Sequence, residues 1–134
     1  MSKLILCLLF LFSIYTSKDP ENVRVFERTS KDNEISVRLG EEFALKIVDH
    51  IRFRDASEWY FLNKNETQET FQYLRSYQRI EYLRFHIVGD RRNSYFHFKA
   101  LKKTNEAVTL KFSFGRFWKE SKYQRIETFK INVK

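Results

Sequence analysis

Cysteine, proline and glycine are scarce in this chain: its 134 residues hold one Cys, one Pro and three Gly. A single cysteine cannot build a disulfide framework or a cysteine-based zinc ribbon. Three glycines leave no Gly-rich phosphate loop and little material for an oxyanion turn, and G-x-S-x-G does not occur. Collagen-like and Gly/Ser linker compositions are excluded by the same counts. His50, His86 and His97 show neither H-x-H nor H-E-x-x-H spacing, so no metal site is expected. These absences argue against an enzyme and against a resident cofactor. No internal repeat, low-complexity tract or Pro/Gly linker divides the chain.

Aromatic residues and basic charge are plentiful. Fourteen Phe, seven Tyr and two Trp supply far more burial drive than a disordered chain carries. The length suits one domain with a core of its own. Lys and Arg total 25 against 17 Asp and Glu, a formal net charge of +8.

The first segment reads as an address. Lys3 precedes an apolar run from Leu4 to Tyr15, and polar residues follow from Thr16 to Asp19. A positive start, a short apolar stretch and small polar residues make a secretory signal peptide, expected over 1–18 with the cut between Thr16 and Asp19. The run is short for a membrane span, which needs about 20 residues; an uncleaved anchor or a buried first helix is the other reading. The only cysteine, Cys7, leaves with the leader. The domain expected over 19–134 therefore has no disulfide and stays basic. It is expected to be secreted or to reach a lysosomal or vesicular compartment. That route disfavours nucleic acid as a partner and favours acidic proteins, glycans or anionic lipid.

Period-two alternation dominates the rest of the chain. Ile35, Val37 and Leu39, a turn at Gly40-Glu41-Glu42, and Phe43, Leu45 and Ile47 predict a hairpin. Val23, Val25 and Phe26 predict a weaker strand before it. Trp59 to Leu62 is a short aromatic strand ended by the polar run Asn63 to Thr67, within which Asn65-Glu66-Thr67 is an N-glycosylation sequon in a loop. Arg84 to Val88 and Tyr95 to Leu101 are strands on either side of a turn from Gly89 to Asn93. Val108, Leu110, Phe112 and Phe114 form the clearest strand, and Phe129, Ile131 and Val133 line the last. Between Glu69 and Arg84, Phe71, Leu74, Tyr77 and Ile80 recur every three residues, which fits a helix or a mix of turn and strand. Seven to eight short strands predict an all-β, immunoglobulin-like β-sandwich.

Three segments then stand out. Gly115-Arg116-Phe117-Trp118 follows the clearest strand, Gly89-Asp90-Arg91-Arg92 precedes Phe96-His97-Phe98, and Asp49 to Ser57 leads to Trp59. Their order over 35–134 resembles the chagasin-like inhibitors of papain-family cysteine peptidases. In that family the third loop carries Arg-Pro-Trp; Arg116 and Trp118 match, and Phe117 stands at the proline. The middle loop is Gly-x-Gly-Gly; Gly89 matches its first glycine, and Arg91 and Arg92 replace the others. The first-loop motif, Asn-Pro-Thr-Thr-Gly, is absent, and Ile51, Arg52 and Phe53 fall within its span.

The resemblance implies a sandwich without disulfides whose three loops at one end plug a protease cleft without a covalent step. It implies a papain-family peptidase as partner, Trp118 as aromatic anchor, Arg116 as a hydrogen-bonding group, and Ile51 and Phe53 as apolar tips. Arg52, Arg54, Arg91, Arg92, Arg116, Lys119 and Lys122 would gather there against Asp49, Asp55, Asp90 and Glu120. Arg and Trp are common at binding hot spots. The other reading of Trp118 is a cap on the sandwich end with Arg116 stacked on it, and of Arg91 and Arg92 a solvated turn. Trp59 is expected in the core. The protein is thus expected to be a monomeric peptidase inhibitor. The alternative is a non-inhibitory module whose basic end binds acidic glycans, anionic lipid or another protein.

Overall fold

Alternating side chains settle into two sheets in the computed structural model, which describes residues 22–27, 34–51, 57–81, 90–115 and 125–134. The strands are β1 (Arg24–Glu27), β2 (Ile35–Val37), β3 (Glu42–Ile51), β4 (Glu58–Phe61), β5 (Phe71–Glu81), β6 (Asp90–Ala100), β7 (Val108–Gly115) and β8 (Arg125–Val133). A single-turn helix, α1 (Lys64–Thr67), follows β4. One sheet runs β1-β3-β6-β5 and the other β2-β8-β7-β4. The result is an immunoglobulin-like β-sandwich, as the strand spacing led us to expect.

The inward faces meet in an aromatic core. Phe43, Leu45, Phe98, Leu110, Phe112 and Ile131 are fully buried. Phe96 and Phe112 approach across the sheets to 4.6 Å between ring centroids, and Phe61 stands edge-on to Phe98 at 5.1 Å. Each such ring contributes roughly 1.5–3 kcal/mol by leaving water, which lets the sandwich hold without a cross-link. Trp59 is buried on β4, as expected.

Several local expectations are corrected. The hairpin over 35–47 does not form. β2 pairs in parallel with β8, whereas β3 lies in the other sheet between β1 and β6. Gly40 adopts φ of 82° and carries the chain across, its amide donating to the Ala100 carbonyl at 2.8 Å. Leu39 sits in that crossing, half-exposed, and its amide donates to the Lys134 carbonyl at 3.1 Å. Alternation reports which residues face inward, not which strand lies alongside.

The turn expected over 89–93 is also corrected: Asp90 to Asn93 belong to β6 and pair with β3. The polar run after β4 is the helix α1 rather than a loop. Asn63 explains it, because its side chain donates to the Thr109 carbonyl at 2.8 Å and accepts from the Lys111 amide at 2.9 Å. Thr67 closes the turn by donating to the Asn63 carbonyl at 2.9 Å.

The ambiguous stretch is a strand, β5, with a bulge between Tyr73 and Arg75. The extra residue flips the parity. Phe71 and Tyr73 face the core before it, whereas Tyr77 pairs with Tyr95 on the outer face after it. A strand with one bulge thus mimics a three-residue period. The predicted strand Arg84 to Val88 and the leader over 1–18 lie outside the described residues.

Candidate functional site

Antiparallel pairing brings the ends of six strands to one end of the sandwich. Ile51 of β3 lies beside Asp90 of β6, and Glu81 of β5 beside Arg91. In the other sheet Glu58 of β4 lies beside Gly115 of β7, and Phe114 beside Arg125 of β8. The connections over 52–56, 82–89 and 116–124 therefore all leave from this end. They overlap the three segments singled out in the sequence, the middle one at Gly89 alone, since Asp90 to Arg92 belong to β6. Arg52, Phe53, Gly89, Arg116, Phe117 and Trp118 lie within them, outside the described residues.

The interior changes character toward this end. In β3 the inward series Phe43, Leu45, Ile47 continues with Asp49, and in β6 the series Phe98, Phe96 continues with Ser94 and Arg92. Asp49 Oδ2 forms an ion pair with the Arg92 guanidinium at 3.7 Å, with side chains only 13% and 12% exposed. Asp49 Oδ1 accepts from Arg125 of the opposite sheet at 3.3 Å. Both guanidinium groups also lie against rings. Arg92 is 5.6 Å from the Phe114 centroid, and Arg125 is 5.4 Å from Trp59. Trp59 and Phe114 pack at 5.2 Å. One carboxylate, two arginines and two aromatics thus tie the sheets together beneath the three connections. Stacked guanidinium groups keep an apolar face against the ring while their N–H edge serves the carboxylate.

This arrangement corrects the placement of Arg92 in a turn. It is an inward strand residue with a partner, not a solvated turn cation. Arg91 faces the other way and is exposed, beside Glu81. Asp49 likewise belongs to β3 rather than to the first connection. Ile51 ends β3 through its backbone pairing with Asp90. The sequence carried a signal for the cluster: Asp49 and Arg92 both fall on the inward parity of their strands, where a charge demands a partner. Asn65 of the sequon is exposed on α1.

A second polar group sits on the outer face of the first sheet. His97 is buried there, 1% exposed. Its Nε2 lies 3.0 Å from the Tyr77 hydroxyl, and its Nδ1 lies 3.5 Å from both Glu42 and Arg75. Burial lowers its pKa below the ordinary histidine value, the Arg75 charge lowers it further, and Glu42 opposes the shift.

No family model matches the sequence, and no curated protein matches it. Solved structures with the same fold do exist. The cysteine protease inhibitor EhICP2 from Entamoeba histolytica superimposes with a TM-score of 0.58 at 16% identity, over 84% of this chain and 98% of that one. Amebosin superimposes with a TM-score of 0.53 at 12% identity, over the same shares of 84% and 98%. The fold implied by the family resemblance is the fold the chain adopts.

Proposed function

We propose that this protein is a non-covalent inhibitor of papain-like cysteine peptidases, with the connections over 52–56, 82–89 and 116–124 occupying the peptidase cleft. The observation that carries the reading is the departure of all three connections from one end of a sandwich whose fold a cysteine protease inhibitor shares. The inhibitor needs no chemistry of its own. It needs a rigid base and three projecting segments, because preorganisation reduces the entropy lost on docking. The Asp49–Arg92–Arg125 cluster supplies that base by joining the two sheets.

Trp118 is the proposed anchor and Arg116 its polar neighbour, with Phe117, Phe53 and Ile51 as apolar contacts and Arg52 and Arg91 on the rim. Gly89 opens the way into the middle contact. The leader over 1–18 would route the domain over 19–134 to the secretory pathway, where secreted and lysosomal peptidases are met. The alternative, a basic end that holds a polyanion, loses Arg92, which is turned inward and paired with Asp49.

The test is a titration of papain activity with the protein. Reversible, stoichiometric loss of activity, weakened by Trp118→Ala by about 2 kcal/mol or more, supports the reading. Full papain activity at saturating protein refutes it.

A further inference from the structure

The bulge that flips β5 leaves part of its inward face uncovered. Beyond it, Ser76, Gln78 and Ile80 pair with Phe96, Ser94 and Arg92 of β6 and share their inward direction. Ser76, Gln78 and Ile80 are nevertheless exposed. The facing edge strand, β4, has four residues against eleven in β5, so the second sheet does not reach over them. A cleft of about 290 Å³ remains between the two edges. Glu58 and Trp59 line one side, and Ser76, Tyr77, Gln78, Ser94 and Phe96 the other.

Of the inward-facing residues on that wall, Ser76, Gln78 and Ser94 are polar and Phe96 is apolar, where a sandwich interior is normally apolar. Two polar atoms of the lining residues, Trp59 Nε1 and Ser94 Oγ, are buried without a hydrogen-bond partner among the described residues. A buried polar group left unpaired is costly, and both of these lie directly behind the cleft lining.

The composition of the wall selects the ligand. Trp59 only donates, Glu58 only accepts, and Ser76, Gln78 and Ser94 do both. A ligand with several groups that both donate and accept satisfies that set. Glu58 opposes an anion, and Arg125, though paired with Asp49, keeps a guanidinium 5.4 Å from the Trp59 ring behind the lining, which disfavours a cation. Addition of a peptide strand to β5 is discouraged by the bulge and by Arg75, Arg79 and Glu81 along the strand. The volume lies near the lower end of ligand sites, about 300–1,000 Å³, and Phe96 and Trp59 offer apolar surface to C–H groups. We propose that this cleft binds a neutral, hydroxyl-rich ligand the size of one pyranose ring, as a free sugar or as the end residue of a glycan. The site lies on the flank of the sandwich, and its test involves no peptidase.

The indole N–H of Trp59 provides the readout, since the chain has only two tryptophans and Trp59→Phe identifies its resonance. The ¹⁵N-labelled protein is titrated with D-mannose, D-galactose and N-acetyl-D-glucosamine. At least one sugar should shift the Trp59 signal saturably, with Kd on the order of 1–10 mM. Gln78→Ala and Ser94→Ala should each weaken binding about tenfold, with the unliganded Trp59 signal reporting an intact fold. A high-mannose glycoprotein, before and after enzymatic removal of its glycans, separates the sources. Binding only before removal assigns a glycan end; binding of free sugars alone assigns a free sugar. No saturable shift with any sugar up to about 50 mM and none with the glycoprotein, an effect unchanged in both variants, or glycoprotein binding that survives glycan removal overturns the proposal.

Discussion

Asp49 of β3 and Arg125 of β8 meet across the two sheets at 3.3 Å, although 76 positions separate them in the chain. The same carboxylate holds Arg92 within its own sheet at 3.7 Å. Asp49 is therefore the shared acceptor of a cluster that closes the end from which the three connections leave. Removing it strands the nearly buried Arg92 charge. Breaking one side of a buried pair costs about 3–5 kcal/mol, and the partial exposure here places Asp49→Ala nearer 2–3 kcal/mol. Arg125 is about half exposed, so Arg125→Gln should cost roughly 1 kcal/mol or less. Urea unfolding of the two variants measures both; equal losses would show that the Asp49 contribution runs through Arg125 and that its pairing with Arg92 adds nothing.

His97 should make stability depend on pH. Its folded pKa lies below the ordinary value because of burial and Arg75, against the pull of Glu42. As pH falls through about 6.5, the unfolded chain takes up the proton first. The contribution is therefore present above that pH and is lost as pH falls toward the folded pKa. The unfolding midpoint should drop between pH 7.5 and pH 5, and His97→Gln should flatten that drop. An identical pH profile in the variant would remove His97 from the explanation.

Asn63 extends along β7 the edge that β4 forms in the second sheet. It serves the Thr109 carbonyl and the Lys111 amide with one side chain. Asn63→Ala leaves both without that partner and should cost about 2–3 kcal/mol. Asn63→Asp keeps the acceptor but loses the donor, and should fall between. Thermal unfolding of the series orders them.

Gly40 turns the chain from one sheet to the other at φ of 82°, with open space where a Cβ would stand. Gly40→Ala should therefore cost only the backbone term, about 1–2 kcal/mol. Asn tolerates this conformation better, so Gly40→Asn should cost less. A larger loss for Asn than for Ala in denaturant unfolding would contradict that cause.

The strands that form the core were legible because their periodicity is local. Leu110 and Phe112 alternate with Lys111, and Phe129 and Ile131 with Lys130, and these residues face as expected. Partners were not legible. Ile35 and Phe43 look like two arms of a hairpin, yet one joins β8 and the other β6, a choice made by packing far along the chain. The bulge at Tyr73 was hidden because one inserted residue turns a two-residue period into an apparent three. Arg92 was misplaced because a run of Gly, Asp, Arg and Asn looks like a turn. Its true setting depends on Asp49, whose inward parity was readable but whose partner was not.

The central claim is tested most directly by titrating papain with this protein and following residual activity against a small peptide substrate. Activity should fall in proportion to added protein and return on dilution. Asp49→Ala, which loosens the base beneath the connections, should raise the dissociation constant while the folded fraction is held constant by temperature. Trp118→Ala should raise it more. Undiminished papain activity at an excess of folded protein would contradict the inhibitor reading and leave the sandwich without that role.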